Sequence, residues 1–172
     1  MADVLTPEQR WLNMSRIRGR DTKPELCIRR GLHARGLRFR LHPKELPGKP
    51  DLVFPRYRTA VFVHGCFWHG HGCHLSKMPA TRPEFWRKKI ARNVARDQKT
   101  IAALNESGWR VLVIWECALR GPGRPSEEEI MDAAVRFIQW DERAFCELMV
   151  RSQMAGAGPE QEALAVPADP LP

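Results

Sequence analysis

No apolar stretch of this chain approaches the roughly 20 residues that a membrane span requires, and residues 1–20 lack the apolar centre of a secretory signal. The expectation is a soluble, cytoplasmic protein. A disulfide framework is poorly served as well, because the cysteines, at 27, 66, 73, 117 and 146, are odd in number and come without an export signal. Metal ligation is the better use for some of them. Acidic charge is scarce over the first hundred residues. Residues 1–50 hold twelve Lys and Arg against five Asp and Glu, residues 51–100 hold ten against three, and the remainder six against twelve. A field so basic suits a polyanion such as nucleic acid, since each neutralised phosphate releases counterions. Six tryptophans, several beside basic residues, point the same way. The 172 residues leave room for one domain with a proper core but not for two, so we expect a single domain over 1–151. Residues 152–172, rich in Ala, Gly and Pro, read as a disordered tail.

Two helix starts are written early. Thr6-Pro7-Glu8-Gln9 and Thr22-Lys23-Pro24-Glu25 each put Thr at a cap, Pro near the first turn and Gln or Glu three residues on. The second helix should reach about Gly36, with Glu25, Ile28 and Leu32 on one face, an odd direction for an ordinary surface carboxylate. Leu37, Phe39 and Leu41 alternate with basic residues as a half-buried strand does, and residues 43–50 form a loop. Residues 51–54 and 58–63, separated by Pro55-Arg56-Tyr57, predict a hairpin opened by Asp51 and ending at His64. Residues 65–79 have no periodicity but are dense in His and Cys. Thr81-Arg82-Pro83-Glu84 reads as a third cap, for a helix reaching Gly108 with Trp86, Ile90, Val94, Asp97, Ile101 and Leu104 on one face. Residues 109–115 predict a strand, 121–125 a break, and Ser126 to Glu129 the cap of a last helix extending through the region of Phe145.

Cys66, His71 and Cys73 lie within eight residues and Cys117 follows the last predicted strand, a four-ligand sulfur and nitrogen set suited to structural zinc. The spacing matches no common zinc finger, and a pair of reactive thiols with a buried Cys117 is the plainer alternative. Asp51, at a strand start, can hold magnesium beside a phosphate, or can simply cap a turn. His64 and His69 can move protons at neutral pH, with a carboxylate such as Asp97 fixing the tautomer, or can be loop residues. Glu25 can be the acidic end of its capping box. Taken together they gain weight, because Glu25 and Asp97 both lie on core-directed faces, where a carboxylate without a partner is costly. Phe67 and Trp68, inside the Cys/His loop, and Trp86, at the start of the next helix, suit wedging between base pairs; filling the core is the alternative.

These residues resemble the very short patch repair (Vsr) endonuclease family. The resemblance is carried by Asn13-Met14, Arg20-Asp21-Thr22, Leu46-Pro47-Gly48-Lys49-Pro50-Asp51, His64-Gly65-Cys66-Phe67-Trp68-His69, Pro79-Ala80-Thr81-Arg82 and Trp115-Glu116-Cys117-Ala118-Leu119-Arg120. It implies a restriction-endonuclease-like α/β core, a mixed central sheet flanked by helices. It also implies strand-specific hydrolysis 5′ of the thymine in T·G mismatches that arise by deamination of 5-methylcytosine. By position, Asp51 and the main-chain carbonyl of Val63 would hold magnesium, His69 supported by Asp97 would act as general base, and His64 with Glu25 would complete the site. Cys66, His71, Cys73 and Cys117 would hold zinc. Phe67, Trp68 and Trp86 would intercalate from the major groove, the helix bearing Met14 (within a DNA-contacting region 1–20) would lie in the minor groove, and Lys89 and Asn93 would approach the mismatch. The implied partner is double-stranded DNA carrying a T·G mismatch, with mismatch-repair proteins as further partners and the enzyme acting as a monomer in the bacterial cytoplasm, on the nucleoid.

Two departures from the family pattern stand out: Val63 where Thr is frequent, and Gly70 and Gly72 where histidines are frequent. A main-chain ligand at 63 survives the first. The usual restriction-fold acidic residue and Lys on the strand after Asp51 are missing between Phe62 and His64, so histidine chemistry must replace them. Two rival readings remain: a zinc-stiffened mismatch-binding module without catalysis, and a sequence-specific restriction nuclease of the same fold that would cut both strands of paired DNA.

Overall fold

The computed structural model describes residues 6, 8–9, 11–12 and 19–150. Met14 and the expected tail lie outside the described residues. The first predicted cap forms: Gln9 N–H donates to Thr6 Oγ1 at 3.2 Å, and Thr6 N–H donates to Gln9 Oε1 at 3.0 Å. The second cap forms too, with Thr22 Oγ1 accepting from Glu25 N–H ahead of helix α1, Lys23–Ala34. The expected strand over 37–41 shortens to β1, Arg40–Leu41, a solvent-exposed pair at the sheet edge. After it come β2 (Leu52–Phe54), one 3-10 turn (Pro55–Tyr57) and β3 (Thr59–His64), the predicted hairpin. Its sharp corner is Arg58, in the left-handed region at φ 46.

Helix α2, Pro83–Glu106, has 24 residues. Its cap is not the expected Thr81 but Arg82, left-handed at φ 55 and making no side-chain cap bond. Pro83 explains the shift, since its fixed φ makes it a ready first helical residue and so places the cap on Arg82, one residue later than expected. The strand β4 (Arg110–Trp115), the short helix α3 (Glu116–Leu119) and helix α4 (Glu127–Trp140) follow. The capping box at Ser126 and Glu129 forms as expected, but α4 does not reach Phe145. Phe145–Leu148 is instead a fifth strand, β5. Asp141 ends the helix: its carboxylate accepts the Arg143 N–H at 2.9 Å, a local turn that competes with helical bonding.

The sheet runs β1-β2-β3-β4-β5, antiparallel up to β3 and parallel from β3 to β5. The parallel joints are bridged by α2 and α4, as parallel pairing demands a crossover. Alternate residues of the central strands feed two cores. Leu52, Phe54, Val61, Leu112 and Ile114 face Ile28 and Leu32 of α1 and Ile130, Ala134, Phe137 and Ile138 of α4. Val53, Ala60, Phe62, Val111, Val113 and Trp115 face Leu104 of α2 and the Cys66 and Cys117 thiols. Each large side chain so buried contributes about 2 kcal/mol. A helix–sheet–helix layering results, and its strand ends present the loops that carry the chemistry. Among the described residues no helix is long and apolar enough to cross a membrane.

Candidate active site

At the end of β3 a cleft of about 490 Å³ is lined by Glu25, His42, Asp51, Val63, His64, His69 and Asp97, with Arg20, Lys49 and Arg96 at its rim. Six separate stretches of the chain converge there. Asp51 stands just before β2, and its Oδ2 accepts the Val63 N–H of the partner strand at 2.8 Å, so the hairpin itself aims the carboxylate. Burial pushes the Asp51 carboxyl up to about 6, with Glu25 adding to the rise and the Val63 amide, Arg29 and His69 opposing it. His64 ends β3 and is 8% exposed. Burial, then the charge of His69, pushes it down to about 3, so its ring is neutral at physiological pH. The loop returns His69 over it, and Asp97 reaches in from the buried side of α2. His69 Nδ1 meets Asp97 Oδ2 at 2.5 Å. Burial of Asp97 raises its carboxyl, but the bond from His69 and the charges of His69, His64 and Arg96 outweigh this and hold it below the ordinary value. With Nδ1 committed to the carboxylate, Nε2 of His69 is the nitrogen left to accept a proton.

Glu25 lines the same cleft, 3% exposed, but its oxygens are taken by other groups. They accept from the Asp21 N–H at 2.9 Å, from Thr22 Oγ1 at 2.9 Å and from Arg29 at 3.0 Å. The carboxylate expected to seek a histidine-bearing metal site is thus partnered by a guanidinium one helical turn along. Arg29, which bonds Glu25, and His42, which lines the cleft, were not singled out from the sequence. The spacing of Glu25 and Arg29, four apart on one helix face, was the available signal.

A second cluster lies behind the first. The ligand atoms of Cys66, His71, Cys73 and Cys117 all fall within 4.8 Å of one another. Gly70 and Gly72, at φ 67 and 80, supply the turns that bring three of them back on themselves, a conformation side chains resist. Cys117 comes from the first turn of α3, directly after β4. Backbone amides point at the sulfurs: Cys117 N–H to Cys66 Sγ at 3.3 Å and Leu75 N–H to Cys73 Sγ at 3.4 Å. The Cys117 thiol is held low by its hydrogen bond with Cys66, against burial, and by His71 and the Val150 amide. His71 turns Nδ1 toward Cys117 Sγ at 3.6 Å and Nε2 toward Met149 Sδ at 3.2 Å. Three sulfurs and one nitrogen, converging and served by amide donors, form a set that can close around one tetrahedral metal ion.

On the far side of the loop, three rings make an edge-to-face platform, Phe67 5.1 Å from Trp68 and 5.4 Å from Trp86, with Trp68 and Trp86 5.9 Å apart. All three remain partly exposed. The Lys89 ammonium lies 5.3 Å from the centroids of both Trp68 and Trp86, and Asn93 donates to the Trp68 carbonyl at 2.9 Å. Both residues therefore hold the platform itself. Trp115 separates the two clusters. Its indole meets the His64 ring edge-on at 5.4 Å, stacks on His71 at 4.3 Å and donates to Glu147 Oε1 at 3.0 Å.

The profile of the family described as DNA mismatch endonuclease Vsr matches residues 2–75. The type II nicking enzyme V.XorIIP of Xanthomonas oryzae pv. oryzae is 52% identical over 72% of this chain and 90% of its own length. The DNA mismatch endonuclease Vsr of Escherichia coli is 48% identical over 81% of this chain and 88% of its own. The type II nicking enzyme V.NmeAIP of Neisseria meningitidis is 42% identical over 70% and 86%.

Proposed function

The chain belongs to the DNA mismatch endonuclease Vsr family and is a DNA endonuclease of that type; we propose that it nicks one strand of duplex DNA 5′ of the thymine in a T·G mismatch. The observation that carries this reading is the His69–Asp97 pair facing the half-buried Asp51 across one cleft. In the proposed reaction His69 Nε2 takes a proton from the attacking water, and Asp97 holds the ring in the orientation and tautomer this requires. His64, neutral and buried, walls the base on one face. Arg20, Lys49 and Arg96 at the rim draw the phosphate backbone in. The core around the site is read as restriction-endonuclease-like.

Such an endonuclease implies a divalent metal, and the oxygen donors fit magnesium: a half-buried carboxylate with one oxygen tied to Val63 and the other clear of any direct hydrogen bond. Asp51 and the Val63 carbonyl would hold it. Magnesium, when bound, would supply positive charge to the scissile phosphate and acidify water beside it. The Cys66, His71, Cys73 and Cys117 set fits zinc, in a structural role. Phe67, Trp68 and Trp86 enter the base stack at the mismatch, where unstacking costs least, and Lys89 stiffens the two indoles from behind. The enzyme acts as a monomer in the cytoplasm, with mismatch-repair proteins as partners.

The test is product analysis on matched duplexes, with a single T·G pair or none, in the presence of magnesium. One nick beside the mismatched thymine supports the reading. Tight mismatch binding with no cleavage would mark a binding module, and double-strand cuts in paired DNA a restriction nuclease.

A further inference from the structure

Glu25 and His42, which line the cleft, belong to an ion-pair nest that the reaction outlined above does not use. The Arg29 guanidinium, with its side chain 10% exposed, reaches Asp21 Oδ1 at 2.5 Å, Glu25 Oε2 at 3.0 Å and the Nε2 of His42 at 2.8 Å. Ligand atoms of Asp21, Glu25 and His42 lie within 4.8 Å of one another, a grouping that elsewhere would invite a metal. Here the guanidinium takes up all three acceptors, so the nest carries a fixed cation of its own. It is built at some expense. Asp21 and His42 both sit in the left-handed backbone region, at φ 57 and 44, and the Arg29 Nε is buried without a hydrogen-bond partner.

The arrangement sets the state of one ring. A guanidinium only donates and keeps its proton, so the Nε2 of His42 must offer its lone pair, and the ring proton is left on Nδ1. That Nδ1 lies 3.8 Å from Asp51 Oδ1. Asp51 Oδ2 is already tied to the Val63 amide at 2.8 Å. The two oxygens are thus treated differently. One is consumed, while the other is faced by an N–H too distant to hydrogen-bond directly and near enough to orient it.

We propose that His42, locked by Arg29, is a positioning residue for Asp51: it fixes the Asp51 carboxylate with Oδ1 presented to the cleft, and so sets the affinity of the site for a divalent cation. The inference rests on the reading of Asp51 as the residue that holds the ion. Second partners of this kind typically tune metal affinity about ten- to a hundredfold.

The experiment is a manganese titration of the zinc-loaded, full-length protein, with free ion followed by paramagnetic resonance, alongside melting temperature and zinc content. His42→Ala is expected to weaken manganese binding about tenfold while leaving melting and zinc unchanged. His42→Asn, whose amide N–H replaces Nδ1–H, should restore most of that affinity. Arg29→Lys, which keeps the charge and loses the fork, should weaken binding in the same direction. Unaltered affinity in His42→Ala would overturn the proposal, as would equal loss in the Ala and Asn variants. Asp51→Ala is the control that separates the two readings. Should it bind manganese as well as the wild type does, the role of Asp51 itself is wrong and the inference falls with it; should it lose the ion while His42→Ala keeps it, only the inference falls.

Discussion

His64 and His69 stack face to face, their ring centroids 3.8 Å apart and their planes 8° from parallel. Two imidazoles so placed cannot both carry charge cheaply. Burial and the charge of its neighbour hold His64 neutral, and Asp97 engages Nδ1 of the other ring at 2.5 Å. Under the proposed reaction, the stack leaves Nε2 of His69 as the nitrogen that takes the proton.

Asp97→Asn should lower the single-turnover nicking rate roughly 10²- to 10⁴-fold, because an amide can present its N–H to Nδ1 and reverse the tautomer. Affinity for a mismatched duplex should stay near that of the wild type. Retained rate with unchanged binding would remove His69 from its proposed role.

Asp51→Ala should abolish detectable nicking, a loss of at least about a thousandfold if the group supplies several kcal/mol to the transition state. Melting temperature and zinc content should be near normal, since the lost bond to Val63 lies at the mouth of the hairpin. Nicking assays with calorimetry on the same preparation check both halves.

Cys117→Ser should act on the whole fold. It joins the Cys/His loop to the end of β4, and losing even about 3 kcal/mol from a chain of this size lowers Tm by roughly 6–12 °C. Chelation of the wild type should produce the same shift. A Cys117→Ser protein that melts normally and keeps one zinc would rule out the four-ligand set.

Trp68→Ala should reduce preference for the T·G duplex over its paired counterpart by about tenfold, since base–aromatic stacking is worth roughly 1–3 kcal/mol. Affinity for paired DNA, governed by phosphate contacts, should change little. Fluorescence anisotropy on the two duplexes measures the ratio.

Gly48→Ala tests the loop that frames the cleft. Gly48 lies at φ 72, and a methyl placed on it would overlap the Thr100 side chain on α2. We expect a loss of about 1–2 kcal/mol in stability, partly from left-handed strain and partly from the overlap. Thr100→Ser removes the methyl that is struck and should recover the second part only, as a double-mutant cycle in denaturant will register.

Much of this architecture was legible in the residues. The caps at Thr22 and Ser126 and the hairpin around Pro55 follow from local chemistry, and the buried direction of Asp97 follows from helical period alone. The Cys/His cluster was legible because ligand types are rare and crowded. What escaped depended on competition between local preferences. Ile130, Ala134, Phe137 and Ile138 keep helical spacing up to Trp140, and the stop is a carboxylate bond at Asp141 rather than a glycine or proline, so β5 read as more helix. The Arg29–His42 contact joins residues thirteen apart through a left-handed backbone at His42, which no pattern of apolar positions encodes.

The indole of Trp115 is a party wall. The His64 ring of the cleft packs against it edge to face, the His71 ring of the sulfur cluster stacks on it, and a tether to Glu147 fixes its tilt against the final strand. The two chambers consequently share a single plane of atoms. A substitution that remodels either chamber does so around that ring, and one that enlarges one room intrudes on its neighbour.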